Sequence, residues 1–113
     1  MPFKVIIAAD HHGLIQAVNA ILRLLSLSCV VTMTTTLTEA VREHLVEQEP
    51  HLMILGFSRK HDQSVIRHAR ESRPGMRVLW VSEASDPLPE ADATLSQPVT
   101  ALRLVEAVSR AMK

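Results

Sequence analysis

The chain has 113 residues, 47% of them hydrophobic, and its 12 basic and 12 acidic side chains cancel to a formal net charge of zero. That length holds one domain around one core and is too short for two, and the apolar share excludes a disordered chain. A nucleic-acid binder shows a basic surplus or cluster, and neither is visible here, so direct nucleic-acid binding by this domain is not expected. No apolar stretch approaches the roughly 20 residues that a membrane-spanning helix needs. The start, Met1-Pro2-Phe3-Lys4, leads into a strand pattern with no cleavable leader. The single cysteine, Cys29, sits in the apolar run Cys29-Val30-Val31 and cannot form an internal disulfide, which favours a reducing compartment. These features predict a soluble, cytoplasmic domain of residues 1–113.

Val5-Ile6-Ile7-Ala8-Ala9 is a continuous apolar run with β-branched residues, the pattern of a strand covered on both faces. Asp10 ends it. Leu14, Val18, Ile21, Leu22 and Leu25 then recur at helical spacing and predict a helix from about His12 to Leu27. Residues 28–34 give a second strand. Thr36 followed three residues later by Glu39 is a capping-box signature, which opens a helix carrying Leu37, Val41 and Leu45 and ending near Pro50. His51 to Gly56 is a third strand, and Asp62 to about Ser72 a weakly amphipathic helix stopped by Pro74-Gly75. Met76 to Ser82 is a fourth strand and Asp92 to Ser96 a short fifth. After Pro98, Thr100 can cap a last helix with Ala101, Leu104, Val105, Val108 and Met112 inward and Arg103, Glu106, Arg110 and Lys113 outward.

Strands alternating with helices imply parallel pairing with helices on both faces of one sheet. The expected fold is α/β: a flavodoxin-like, doubly wound, five-stranded parallel sheet. Ligands in such folds sit beyond the carboxyl ends of the strands, a rim built here from Asp10, Gly56, Ser82 and Gln97.

Four segments together resemble the receiver domain of two-component response regulators, across nearly the whole chain. Val5-Ile6-Ile7-Ala8-Ala9-Asp10-His11 is similar to the receiver opening, a strand ending in two acids. Pro50-His51-Leu52-Met53-Ile54-Leu55-Gly56 resembles the third strand, with its Pro-Asp-Leu entry and terminal phosphorylatable aspartate. Val78-Leu79-Trp80-Val81-Ser82 looks like the fourth strand with its terminal Thr or Ser, and Leu95-Ser96-Gln97-Pro98 like the Lys-Pro element after the fifth.

Carried over residue by residue, that resemblance implies a site stripped of its chemistry. Ala9 stands where the first acid of the Mg²⁺-binding pair should be, leaving Asp10 alone. Gly56 stands at the nucleophilic aspartate. Ser82 retains the hydroxyl that contacts the phosphoryl group. Gln97 replaces the lysine, and Thr94 replaces the aromatic residue that rotates on activation. Phosphoryl transfer depends almost wholly on positioning and charge stabilisation. Losing acid, nucleophile and cation together therefore implies a non-phosphorylatable pseudo-receiver, not an enzyme, with no cofactor and no bound metal. Its expected role is signal transduction through a protein partner, an output domain or a second copy of the chain.

Other readings stand beside this one. Asp10 is either a metal ligand or a helix-capping or turn carboxylate, and one carboxylate opposite a glycine favours the second. The six histidines (His11, His12, His44, His51, His61 and His68) show no closed ligand set. Lys4 to Gly13 also looks like the first strand of the B-type ribose-5-phosphate isomerases. That match covers only about ten residues and lacks both the glycine-rich anion loop and a counterpart of the catalytic cysteine. The alternative function is a small-ligand or metal sensor using the residual pocket around Asp10, Ser82 and Gln97.

Two features point to interfaces. The first helix is apolar almost all round, which nominates Ile15, Leu22 and Leu24 as docking residues; deeper burial between its neighbours is the competing reading. In the connection from Ser82 to Asp92, where receivers place their fourth helix, Pro89 would fall inside any helix begun before it. A proline there removes a hydrogen bond and clashes with the preceding turn. At most one helical turn is expected, so that helix is shortened or missing.

Overall fold

The computed structural model describes residues 3–9, 12–24, 29–34, 50–56, 59–72, 74–82, 88–96 and 99–112. Their elements are β1 (Phe3–Ala9), α1 (His12–Leu24), β2 (Cys29–Thr34), β3 (Leu52–Gly56), α2 (Arg59–Ser72), β4 (Arg77–Ser82), β5 (Ala93–Ser96) and α3 (Ala101–Met112). The five strands form one sheet in the order β2-β1-β3-β4-β5, parallel throughout. This is the flavodoxin-like, doubly wound order expected from the alternating pattern.

The apolar runs of β1, β3 and β4 are buried because the sheet is covered on both sides. Val5, Ile7, Ala9, Leu52, Ile54, Leu79, Val81 and Leu95 pack on one face with Leu14, Ile15, Val18 and Leu22 of α1 and Leu104, Ala107 and Ala111 of α3. Ile6, Ala8, Met53, Leu55, Val78 and Trp80 pack on the other with Val65, Ile66 and Ala69 of α2, together with Met76 and Leu88. Successive residues of a strand point to opposite faces, so each run supplies both cores at once.

Two expected helix faces need correction. In α1, Ile15 and Leu22 are 3% and 1% exposed, so they hold the helix to the sheet and offer nothing to a partner. The outer side of α1 carries Gln16, Ala17, Ala20 and Arg23, and the apparent apolar excess is largely small alanines. Deeper burial explains the sequence pattern, while the Leu24 side chain lies outside the described residues. In α3, the core contacts are Leu104, Ala107 and Ala111, with Val108 half-buried, whereas Ala101, Val105 and Met112 are exposed. Small alanines let the helix lie close to the sheet, and that turns the larger Val105 and Met112 outward.

Thr100 caps α3 as expected: its Oγ1 accepts the Arg103 N–H at 3.3 Å and its carbonyl accepts the Leu104 N–H at 2.9 Å. The middle helix starts at Arg59 instead of Asp62. Its first residues, Arg59-Lys60-His61, contain no apolar side chain, so no hydrophobic period marks that turn. The expected helix from Thr36 to Pro50 lies outside the described residues apart from Pro50, which is buried and not helical.

Candidate functional site

The carboxyl ends of β1, β3 and β4 converge where the expected site lies. Ala9 pairs in register with Gly56 across β1 and β3, and Ser82 pairs with Ser96 across β4 and β5. Ala9 is buried at 1% exposure and Ser82 at 9%. Asp10 and Gln97, the other two rim positions, lie outside the described residues.

Gly56 is half-buried, and the two atoms nearest to the place of its missing Cβ are apolar carbons. A Cβ built there would stand 2.8 Å from Leu14 Cδ2, 3.2 Å from Ala9 Cβ and 3.8 Å from the Val81 carbonyl oxygen. Real Cβ atoms do not approach a carbon to 2.8 Å, so any side chain at this position displaces Leu14. The first turn of α1 aims Leu14 over the end of β3, and there it belongs to the same core cluster as Ala9 and Val81. Burying such a leucine contributes about 1.5–3 kcal/mol. The space a side chain on residue 56 would enter is therefore filled by a packed methyl group. Glycine, alanine and leucine form one apolar plug. The sequence reading identified Ala9 and Gly56 but missed Leu14, whose helical spacing marks it only as a core residue.

Thr94 sits opposite Trp80 in the β4–β5 ladder. Its hydroxyl accepts the Leu88 N–H at 3.5 Å, and its carbonyl accepts from Arg110 at 3.4 Å. Leu88 is 2% exposed and packs in the cluster that contains Trp80. Nothing in residues 88–92 is helical: Pro89 and Glu90 form a turn, closed by the Ala91 N–H on the Leu88 carbonyl at 3.0 Å. A regular helix over the whole of 84–91 is thus excluded. Residues 83–87 lie outside the description.

What holds this connection is a polar clamp. The Asp92 carboxylate accepts the Val78 N–H at 2.7 Å, while the Asp92 N–H donates to the Val78 carbonyl at 2.9 Å. The same carboxylate pairs with Arg70 at 2.9 Å and Arg77 at 3.4 Å. Arg70, from α2, also donates to the Glu90 carbonyl at 2.9 Å and to the Met76 carbonyl at 3.5 Å. One guanidinium thereby ties α2 to the residues leading into β5, Glu90 and Asp92, and to Met76 just before β4. Apart from Arg70 and Met76, which are 6 residues apart, the partners are 14 to 22 residues apart in sequence, so no local motif reveals them.

Among the described residues no group of three or more His, Cys, Asp or Glu side chains could hold a metal ion. Among them, too, no helix is long and apolar enough to cross a membrane.

Comparisons with solved structures agree with this architecture. A response regulator from Thermotoga maritima superposes with a TM-score of 0.81 at 19% identity, covering 99% of this chain and 98% of that one. A CheY-like receiver domain protein from Methanospirillum hungatei JF-1 gives 0.79 at 16% identity, covering 99% and 94%. The isolated REC domain of RcsB from Salmonella enterica serovar Typhimurium, solved in the presence of phosphomimetic BeF3-, gives 0.78 at 16% identity, covering 96% and 87%. No protein-family model matches the chain, and no curated protein does. The chain therefore has the receiver-domain fold, by structure and not by sequence identity.

Proposed function

We propose that this domain is a pseudo-receiver: a signalling module that works through protein–protein contact and neither accepts nor transfers a phosphoryl group. The observation that carries this reading is Leu14 Cδ2, 2.8 Å from where a Cβ on residue 56 would stand. A phosphoacceptor site needs a side-chain nucleophile, a cation and room for the phosphoryl group. At Gly56 there is no nucleophile, and its neighbours Ala9 and Leu14 are apolar and tightly packed. The clamped connection from Leu88 to Asp92 supports a second element of the reading. With Thr94 in place of a rotating aromatic and Leu88 in the core, this face holds a single arrangement, so partner binding is constitutive.

The test is a binding measurement with and without phosphodonor. Crosslinking in the native cell identifies a partner, and its affinity for the purified domain is then measured with and without acetyl phosphate and Mg²⁺. Equal affinities are expected. An affinity that changes with phosphodonor, and only when this domain has been exposed to it, overturns the reading.

A further inference from the structure

The large apolar side chains left exposed among the described residues all stand on α3: Leu102 at 69%, Val105 at 36% and Met112 at 39%. A single exposed leucine is ordinary, since folded proteins keep much apolar surface in contact with water. Three aligned on one stripe make a patch of the kind that marks an interface. Leu104, Ala107 and Ala111 form the core side of α3, so the stripe runs along the opposite side of the helix. Positions 102, 105, 109 and 112 are spaced three, four and three, the spacing by which two helices interlock along a shared seam. Ser109, the remaining position, is exposed and small, which lets a facing helix come close.

This stripe matches itself when the helix is turned end for end. Leu102 and Met112 lie five residues to either side of Ala107, and Val105 and Ser109 lie two. A two-fold axis beside Ala107 therefore sets Leu102 against Met112 of a second copy and Val105 against its Ser109. The charges agree with the same arrangement. Glu106 and Arg110 flank the stripe on the side where Arg103 and Arg110 reach back to β5, at Ser96 Oγ (2.8 Å) and the Thr94 carbonyl (3.4 Å). The two-fold axis lays that flank along its own copy, with each Glu106 beside the other chain's Arg110. Both side chains are exposed, and among the described residues Glu106 pairs with no cation. Arg110 uses only one of its N–H donors on Thr94. A net charge of zero adds no repulsion between copies.

We propose that the outer face of α3 is an antiparallel, two-fold interface between two copies of this chain. The helix has 12 residues and is about 18 Å long. One such seam buries less than the roughly 1,200 Å² of a standard interface, so the dimer is weak and dissociates on dilution. Pairing here requires nothing of the rim around Gly56 and is independent of the phosphorylation reading.

The test is sedimentation equilibrium of the full chain between about 10 µM and about 1 mM. The average mass should rise with concentration from monomer toward dimer. Leu102→Glu should weaken association roughly tenfold or more, because both copies lose a buried leucine from the seam. Its melting temperature at the dilute end should stay in place, since the side chain is 69% exposed in the monomer. Glu106→Arg or Arg110→Glu alone should weaken the dimer by setting like charges together, and the double exchange should restore it. A chain that stays monomeric at the highest concentration, a dimer unaffected by Leu102→Glu, or a double exchange no better than either single one overturns the proposal. So does a monomer whose Leu102→Glu variant loses a different protein crosslinked to it in the native cell, which gives the face to a foreign partner.

Discussion

Replacing Asp92 probes the clamp directly, because its contacts differ in burial and so in cost. In Asp92→Ala the Val78 N–H, on a fully buried residue, loses the oxygen that sits 2.7 Å away. Leaving a buried donor unsatisfied costs about 1–3 kcal/mol. The ion pairs add less. The Arg70 and Arg77 side chains are 35% and 41% exposed, so water resolvates both guanidiniums when the carboxylate goes. Half-exposed pairs of this kind contribute at most about 1 kcal/mol each. The expected loss for Asp92→Ala is therefore about 2–4 kcal/mol, a fall in melting temperature on the order of 10 °C for a domain of this size. Asp92→Asn keeps a carbonyl oxygen for the Val78 N–H and removes only the charge, so its cost should stay near 1 kcal/mol. Urea denaturation followed by Trp80 fluorescence is the assay, since Trp80 is 4% exposed and packs with Leu88. If Asp92→Ala is as stable as the parent, the clamp is not what holds the connection. If Asp92→Asn falls as far as Asp92→Ala, the cost lies in the ion pairs and the argument from the buried N–H is wrong.

Gly56→Asp should destabilise the fold by about 1–3 kcal/mol through its clash with Leu14, and should not restore phosphorylation on its own, because Ala9 and Gln97 still leave the site without the first acid of the pair and without the lysine's charge. Denaturation and intact mass of the variant check both halves, and a stable, phosphorylated Gly56→Asp protein would contradict them. Millimolar Mg²⁺ should leave Trp80 fluorescence and the melting temperature unchanged, since one carboxylate is a poor ligand set for an ion that gives up its water reluctantly. A saturable Mg²⁺ titration that vanishes in Asp10→Ala would refute this. Thr100→Ala should cost about 1 kcal/mol, seen in the same denaturation assay, by removing the hydroxyl that accepts the Arg103 N–H.

What the sequence revealed, and what it hid, divides along the range of the interactions involved. The runs 5–9, 52–55 and 78–81 are readable because strands buried on both faces lose their alternation and become continuous apolar segments. Thr100 is readable because a helix cap is a local bond. Pro89 marks residues 88–92 as non-helical because its constraint acts within one turn. The orientation of α3 was not readable: Val105 and Met112 are more apolar than Ala107 and Ala111, yet close packing on the sheet favours the smaller pair. The resemblance puts Ala9 and Gly56 at the acid and nucleophile positions one residue at a time, and they pair in register at the ends of β1 and β3. That Leu14 fills the space between them could not be read this way, since the contact joins residues 42 apart (14 to 56) and one of them has no side chain. The clamp of Arg70, Asp92 and Val78 is hidden for the same reason. Each partner alone is an ordinary helix arginine, loop aspartate or strand amide.

The central claim, that this receiver fold cannot carry a phosphoryl group, is tested most directly by intact-mass measurement after incubation with acetyl phosphate and Mg²⁺, with a phosphorylatable receiver domain treated in parallel. The account predicts an unchanged mass for this chain while the control gains one phosphoryl group. A stoichiometric gain of one phosphoryl group on this chain would contradict it.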